Sequence, residues 1–226
     1  MKNLSCERDD RVLFAGLSLD ASPGALLHVV GPNGAGKTTL LKILCGLSTH
    51  YHGQISWGDF AIPSYEYLSS LLFLGHQTGV NSSLTPLENL RWFFGLHGRK
   101  GATNCSGAAA DTDISTAEFI AALNKVNLAG YEDFPCYQMS AGQQRRVALA
   151  RLFISQAPIW ILDEPFTAID KQGVRELEQR IQNHRDNGGI VILTTHQAME
   201  QLEPQVVDLA EYQTERDSAG IQEAQA

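Results

Sequence analysis

The residues from Gly31 to Thr39, Gly-Pro-Asn-Gly-Ala-Gly-Lys-Thr-Thr, complete the spacing GxxxxGKT. Glycines at these offsets let successive backbone N–H groups turn toward one concavity. A helix starting near Lys37 would point its free N–H groups and positive dipole end into the same space. A polyphosphate fits such a cradle, with Gly31, Pro32, Asn33, Gly34, Ala35 and Gly36 wrapping it. Lys37 would reach the β- and γ-phosphates, and the Thr38 hydroxyl, beside Thr39, would ligate a bridging magnesium ion. An ordinary glycine-rich turn needs neither the lysine nor the hydroxyl at these places.

Asp163 and Glu164 follow the apolar run Ala157-Pro158-Ile159-Trp160-Ile161-Leu162. Two adjacent carboxylates at the end of a buried strand are costly unless they have partners. Beside a phosphate cradle, Asp163 would hold the magnesium, directly or through water, and Glu164 would polarise an attacking water as general base. The alternative is that the pair caps a helix beginning at Pro165. Ser140, with Gln143 three residues later, is a capping-box pattern opening a helix through Val147, Leu149 and Leu152.

The elements that must position these groups follow from periodicity. Apolar runs before Gly31, Gly75, Asp163 and Thr194 read as buried strands. Each hands over to a polar candidate: Lys37, Gln77, Asp163 with Glu164, and His196. In an open parallel α/β sheet, ligands bind outside the carboxyl ends of the strands, so all four would meet on one rim. Alternating strands and helices with right-handed crossovers give an α/β fold, a mainly parallel sheet with helices on both faces. Arg11–Leu19 and Tyr51–Gly58 read as strands of a small antiparallel β layer near the nucleotide.

From Thr85 the texture is helical, with Pro86 suited to a first turn and Leu87, Leu90, Phe93 and Phe94 on one face. A second helix runs from Thr116 to Leu128. The expected organisation is one domain: a core over 1–83 and 156–210, an inserted helical subdomain over 84–155 with a flexible insertion at about 98–115, and a polar tail over 211–226. Val80, Leu84, Leu87, Leu90, Trp92 and Phe93 exceed what a small helical layer buries, so some are expected on the surface as a docking face for a partner.

The 226 residues carry 43% hydrophobic and 19% charged side chains and a formal net charge of −8. That balance weighs against a nucleic-acid partner. Cys6, Cys45, Cys105 and Cys136 show no CxxC or zinc spacing and read as unpaired thiols. Without an apolar signal region at Met1–Asp10 or a run of 18 apolar residues, the chain is expected to be neither exported nor membrane-spanning.

Taken together, these stretches resemble the ATP-binding-cassette ATPases, a branch of the P-loop NTPases. Gly31–Thr38 matches the P-loop, Gln77 the Q-loop glutamine, Ser140-Ala141-Gly142-Gln143 the signature, Ile159–Glu164 the Walker B strand, Ala168-Ile169-Asp170 the D-loop and His196 the switch histidine. The resemblance implies a RecA-like core, ATP and Mg²⁺ as cofactors, and catalytic roles for Glu164, His196 and Gln77, with Gln77 also toward the metal beside Thr38 and Asp163. It implies a second copy of the chain paired head to tail, so that Ser140, Gly142 and Gln143 meet the nucleotide held by the other copy. Arg8 falls where many cassettes carry an adenine-stacking aromatic residue, and a guanidinium can also stack on a base.

A narrower resemblance, to the ATPase subunit of the haem exporter for bacterial cytochrome c maturation, is carried by Leu4–Asp9, Leu74–Gly79, Leu84–Leu90, Gln143–Leu152 and Trp160–Asp170. It implies integral membrane partner subunits and a peripheral location on the cytoplasmic face of the inner membrane. The competing readings are the ATPase subunit of a different transporter and a soluble cassette ATPase acting on DNA or ribosomes. Roughly a hundred residues separate Lys37 from Ser140 without a heptad run, which disfavours the DNA-repair form.

Overall fold

The computed structural model describes residues 1–9, 11–97 and 114–213. The insertion expected at 98–115, apart from Ile114 and Ser115, and the tail beyond residue 213 lie outside them, as does Cys105. Strands β1 (Lys2–Arg8) and β2 (Arg11–Leu17) pair antiparallel, and β3 (Leu26–Val30) leads through the glycine loop into helix α1 (Lys37–Leu44). Three short strands, β4 (His52–Gln54), β5 (Ser56–Trp57) and β6 (Phe60–Ala61), and a short helix α2 (Tyr65–Ser69) precede β7 (Leu71–Leu74). Helices α3 (Pro86–His97), α4 (Thr116–Lys125) and α5 (Ala141–Ala150) follow, then β8 (Ile159–Asp163), α6 (Lys171–Asp186), β9 (Ile190–Thr194) and β10 (Gln205–Asp208).

Strands β10-β3-β9-β8-β7 form a parallel sheet in that order, while β2-β1-β4 make the separate antiparallel layer. Apart from the edge strand β10, the strands are mainly apolar because both sheet faces are covered, and their two-residue period divides them between two cores. Trp160, Leu162, Val191 and Leu193 pack with Leu177 and Ile181 of α6 and the inner faces of α3, α4 and α5. Ile159, Ile161, Ile190 and Ile192 pack with Leu40, Leu41 and Ile43 of α1 and with Leu4, Phe14 and Leu17 of the antiparallel layer.

Three elements were not anticipated. Strand β1 buries only Leu4 and Cys6, its register to β2 is interrupted twice, and so no clean alternation marks it. Strand β10 is an edge strand with only Val207 buried, and α2 is a five-residue helix capped by Ser64. The single strand expected over Tyr51–Gly58 is broken into β4, which joins β1, and β5, which turns back on β6. Gly53, at φ +108°, makes that first pairing possible, since a Cβ there would overlap the Asn3 backbone. No helix opens at Pro165: Asp170 caps α6 by accepting from the Gly173 N–H at 2.8 Å.

At the end of the sheet opposite the glycine loop, the His184 ring stacks on Trp160 at 3.8 Å and 2°. The Arg180 guanidinium lies 4.8 Å from the centroid of the same indole. Gly189 has no alternative, because a Cβ there would collide with the imidazole. Burial, then the Arg180 charge, push the His184 pKa down to about 4, against opposing hydrogen bonds from Pro158 and Ile190.

The depressed folded-state value means that the neutral ring contributes stability above the unfolded value of about 6.5. That contribution is lost as pH falls through 6.5 toward 4, up to about 3 kcal/mol. Urea titrations at pH 7 and pH 4.5 should show a larger loss of stability for the parent chain than for His184→Gln. Equal losses would assign the acid sensitivity to other groups.

Candidate functional site

Helix α1 has no side-chain cap; its N-cap is Gly36 at φ +95°, a conformation only glycine takes without strain. A Cβ on Gly36 would press on Leu13 and Phe14 of β2 at 3.1 and 3.3 Å, so the loop is held close against the antiparallel layer. The Lys37 ammonium donates to the carbonyls of Gly31 (2.7 Å) and Pro32 (3.1 Å), which keeps it over the loop concavity.

Asp163, buried at the end of β8, has a partner for each carboxylate oxygen. Thr194 Oγ1, directly across the β8–β9 register, donates to Oδ1 at 2.7 Å. Thr38 Oγ1 of α1 donates to Oδ2 at 3.2 Å. A hydroxyl and a carboxylate are hard oxygen donors suited to magnesium, and both face the phosphate loop. Among the described residues no cluster of three His, Cys, Asp or Glu side chains could hold a metal alone, so such an ion would complete its shell with substrate oxygens and water.

Glu164 takes φ +53°, rare for a non-glycine residue, and is anchored there by its N–H donating to Thr194 O and Oγ1, both at 3.1 Å. Its Oε2 accepts from the His196 N–H at 3.3 Å, and its Oε1 lies 3.5 Å from His196 Nε2. Strain of this kind persists only where surroundings over-determine it. Here it turns the carboxylate off the strand line to face His196.

Arg145 was not anticipated by the sequence reading. It is buried on α5, where a charge breaks the apolar face. Its Nη1 donates to Gly75 O at 2.6 Å, and its Nη2 donates to Asp163 O at 2.7 Å and Glu164 O at 3.1 Å. Burial lowers its pKa while the charges of Asp163 and Glu164 oppose that shift. Arg151, just past α5, donates to Thr78 O and Gly79 O and lies 4.4 Å from the Phe93 ring centroid. Both ends of the loop carrying Gln77 are therefore fastened to the helix that Ser140 starts.

Ser140 and Gln143 form the expected capping box: Ser140 Oγ accepts from Gln143 N–H at 3.2 Å, and Gln143 Oε1 accepts from Ser140 N–H at 2.9 Å. The N–H groups of Ala141 and Gly142 have no acceptor within a helix.

A cavity of about 1150 Å³ joins these parts. Asn33, Gly34, Gly36, Lys37, Thr38 and Thr39 line it with Asp163, Glu164, His196, Gly142 and Arg8. Gln77, Ser140 and Gln143 do not; His76 and Thr78 take the lining places beside Gln77, which is exposed. Arg8 is largely exposed, and its charge faces Asp9 at 3.4 Å. Arg11, Thr167, Thr194 and Gln197 also line the cavity and escaped the sequence reading. For Thr194 a signal existed, as the first polar residue after four apolar ones.

A phosphate loop, an Asp between two threonines and a strained Glu against a His, all at the carboxyl rim of a parallel sheet, define a nucleotide-hydrolysing cassette. The family model "ABC transporter" matches residues 14–167. The chain is 52% identical over 212 residues to the cytochrome c biogenesis ATP-binding export protein CcmA of Saccharophagus degradans, covering 94% of this chain and 93% of the relative. It is 50% identical over 200 residues to the protein of the same name from Hahella chejuensis, covering 88% of each. The dimeric bacterial ABC transporter cassette MJ0796 shares the fold with a TM-score of 0.73 and 22% identity, covering 92% of this chain and 93% of that one. The chain belongs to the ATP-binding-cassette transporter family and, within it, to the cytochrome c biogenesis ATP-binding export proteins. It is an ATP-binding ATPase cassette.

Arg145→Met would strip three carbonyls of their donor and should cost about 2–4 kcal/mol, lowering the melting temperature by roughly 5–15 °C. Arg145→Lys, with a point charge instead of a fork, should fall between. Thermal denaturation that shows no loss in the Met variant would remove Arg145 from this role.

Proposed function

We propose that this chain is the ATP-hydrolysing subunit of the haem exporter complex serving c-type cytochrome biogenesis. It works as a head-to-tail pair of copies at the cytoplasmic face of the inner membrane, beside integral membrane subunits. The observation that carries the hydrolytic reading is the convergence of Thr38, Asp163 and Thr194 with the Glu164–His196 pair beside the phosphate loop. The names of relatives sharing half of its residues support the export role. Among the described residues no helix is long and apolar enough to cross a membrane. In this reading the transport work is done through separate membrane subunits.

In this reading Lys37 and the loop N–H groups hold the β- and γ-phosphates, and Thr38 and Asp163 would hold Mg²⁺, which neutralises phosphate charge when bound. Glu164 takes a proton from the attacking water while the water oxygen bonds to the γ-phosphorus. The bond to the β–γ bridging oxygen breaks, and ADP and phosphate leave. His196 fixes the Glu164 carboxylate. Gln77, on the loop held by Arg145 and Arg151, carries changes at the membrane side toward the metal. Ser140, Gly142 and Gln143 present their helix N-terminus to the nucleotide of the other copy, and Arg8 stacks on its own copy's adenine.

Glu164→Gln should leave ATP binding intact and cut turnover by roughly 10²–10⁴-fold, because it removes the base without touching the cradle. Size-exclusion chromatography with ATP should then show a trapped dimer. Near-normal phosphate release in this variant would assign the base elsewhere.

The docking face needs correcting from the sequence expectation. Leu87 and Leu90 are buried, Val80 and Phe93 pack against the core, and Leu84 is half-buried with its carbonyl accepting from Cys136 N–H. Of that set Trp92 is exposed, and Leu96 of α3 and, past α1, Leu47 are exposed apolar side chains outside it. A groove of about 180 Å³ between Leu47, Phe73, Phe93 and His97 is the surface we assign to a membrane-subunit segment. Leu47→Glu should abolish co-purification with the membrane subunits while basal ATPase activity and melting temperature stay near parental. Retained co-purification would reject the groove.

A further inference from the structure

Two arginines face each other across the β1–β2 pair: Arg8 and Arg11 are direct register partners, joined through Asp9 and Asp10. Like charges directly opposite on neighbouring strands are destabilising, and an anion between or beside them would relieve that repulsion. Among the described residues Asp9 pairs with Arg8, at 3.4 Å, and with no other cation. Arg11 is the more buried of the two, and among the described residues its guanidinium has no hydrogen-bond or ion-pair partner. It nevertheless lines the nucleotide cavity. Its Nη1 lies 3.8 Å from where a Gly34 Cβ would stand, on the φ +83° turn of the phosphate loop. Antiparallel pairing and the packing of Gly36 on Leu13 and Phe14 fix this strand against the loop.

We propose that Arg11 is a nucleotide-binding residue whose guanidinium donates to a phosphate oxygen of the nucleotide in its own copy's loop. The assignment rests on the ATPase reading of the same site. It divides the hairpin's two cations: Arg8, at the exposed rim, is left for the base, and Arg11, beside Gly34, serves the phosphates. A planar fork with a spare donor pair suits a phosphate, and lost charge-assisted bonds are strong ones. A phosphate contact acts whatever the base, and it acts more weakly as salt rises.

Equilibrium binding to the full chain tests this. Arg11→Gln should weaken ATP and GTP alike by about tenfold, flatten the salt dependence of ATP affinity and leave adenosine competition unchanged. Arg11→Lys should recover part of the loss. Unchanged ATP affinity in Arg11→Gln, where Lys37→Ala loses ATP, would overturn the assignment and leave the ATPase reading standing. An equal loss for adenosine and ATP would overturn it too, since Arg11 would then hold the base. A parent chain that binds no ATP would sink both readings.

Discussion

Two carboxylates at the end of a strand that is buried along its whole length are the constraint around which this molecule is built. Asp163 cannot sit there ionised without partners. The partners come from sequence neighbours on neither side: Thr38 from the helix after the phosphate loop and Thr194 from the adjacent strand. Satisfying one buried charge thus fixes the position of the phosphate-binding helix relative to β8 and the register of β8 against β9. The same register delivers the Thr194 carbonyl and hydroxyl that hold Glu164 in its positive-φ turn. Stability and chemistry draw on the same few hydrogen bonds.

Arg145 extends that arrangement to the helical layer. One guanidinium reaches the carbonyls at the ends of β7 and β8, so the helix begun by Ser140 cannot shift without disturbing both the Glu164 turn and the loop carrying Gln77. Arg151 fastens the far end of that loop and rests on Phe93, which walls the apolar groove. A set of contacts therefore runs from the groove, through the loop carrying Gln77, to the backbone carbonyls of Asp163 and Glu164. It is a physical path by which a protein seated in the groove could bias the site.

Strands β3, β7, β8 and β9 of the parallel sheet were legible because they are apolar on both faces and lead into chemistry-bearing residues. The capping box at Ser140 and Gln143 was legible because its pattern is local. Strands β1 and β10 were not legible: one is interrupted in register and the other is an edge, so burial leaves too few apolar positions to mark them. Gln77 shows the converse. Its place after a buried strand marked it for the rim, yet the loop turns its neighbours His76 and Thr78 to the cavity.

By itself the sequence determined the phosphate loop, the carboxylate pair and four of the five parallel strands, because each depends on spacing within a short segment or on hydrophobic period. Only the tertiary structure decided what joins them. The Thr194 partner of Asp163, the three carbonyls under Arg145 and the placing of Arg11 beside Gly34 all pair residues distant in the chain. Such pairings follow from strand order and packing, which set distances that no local pattern encodes.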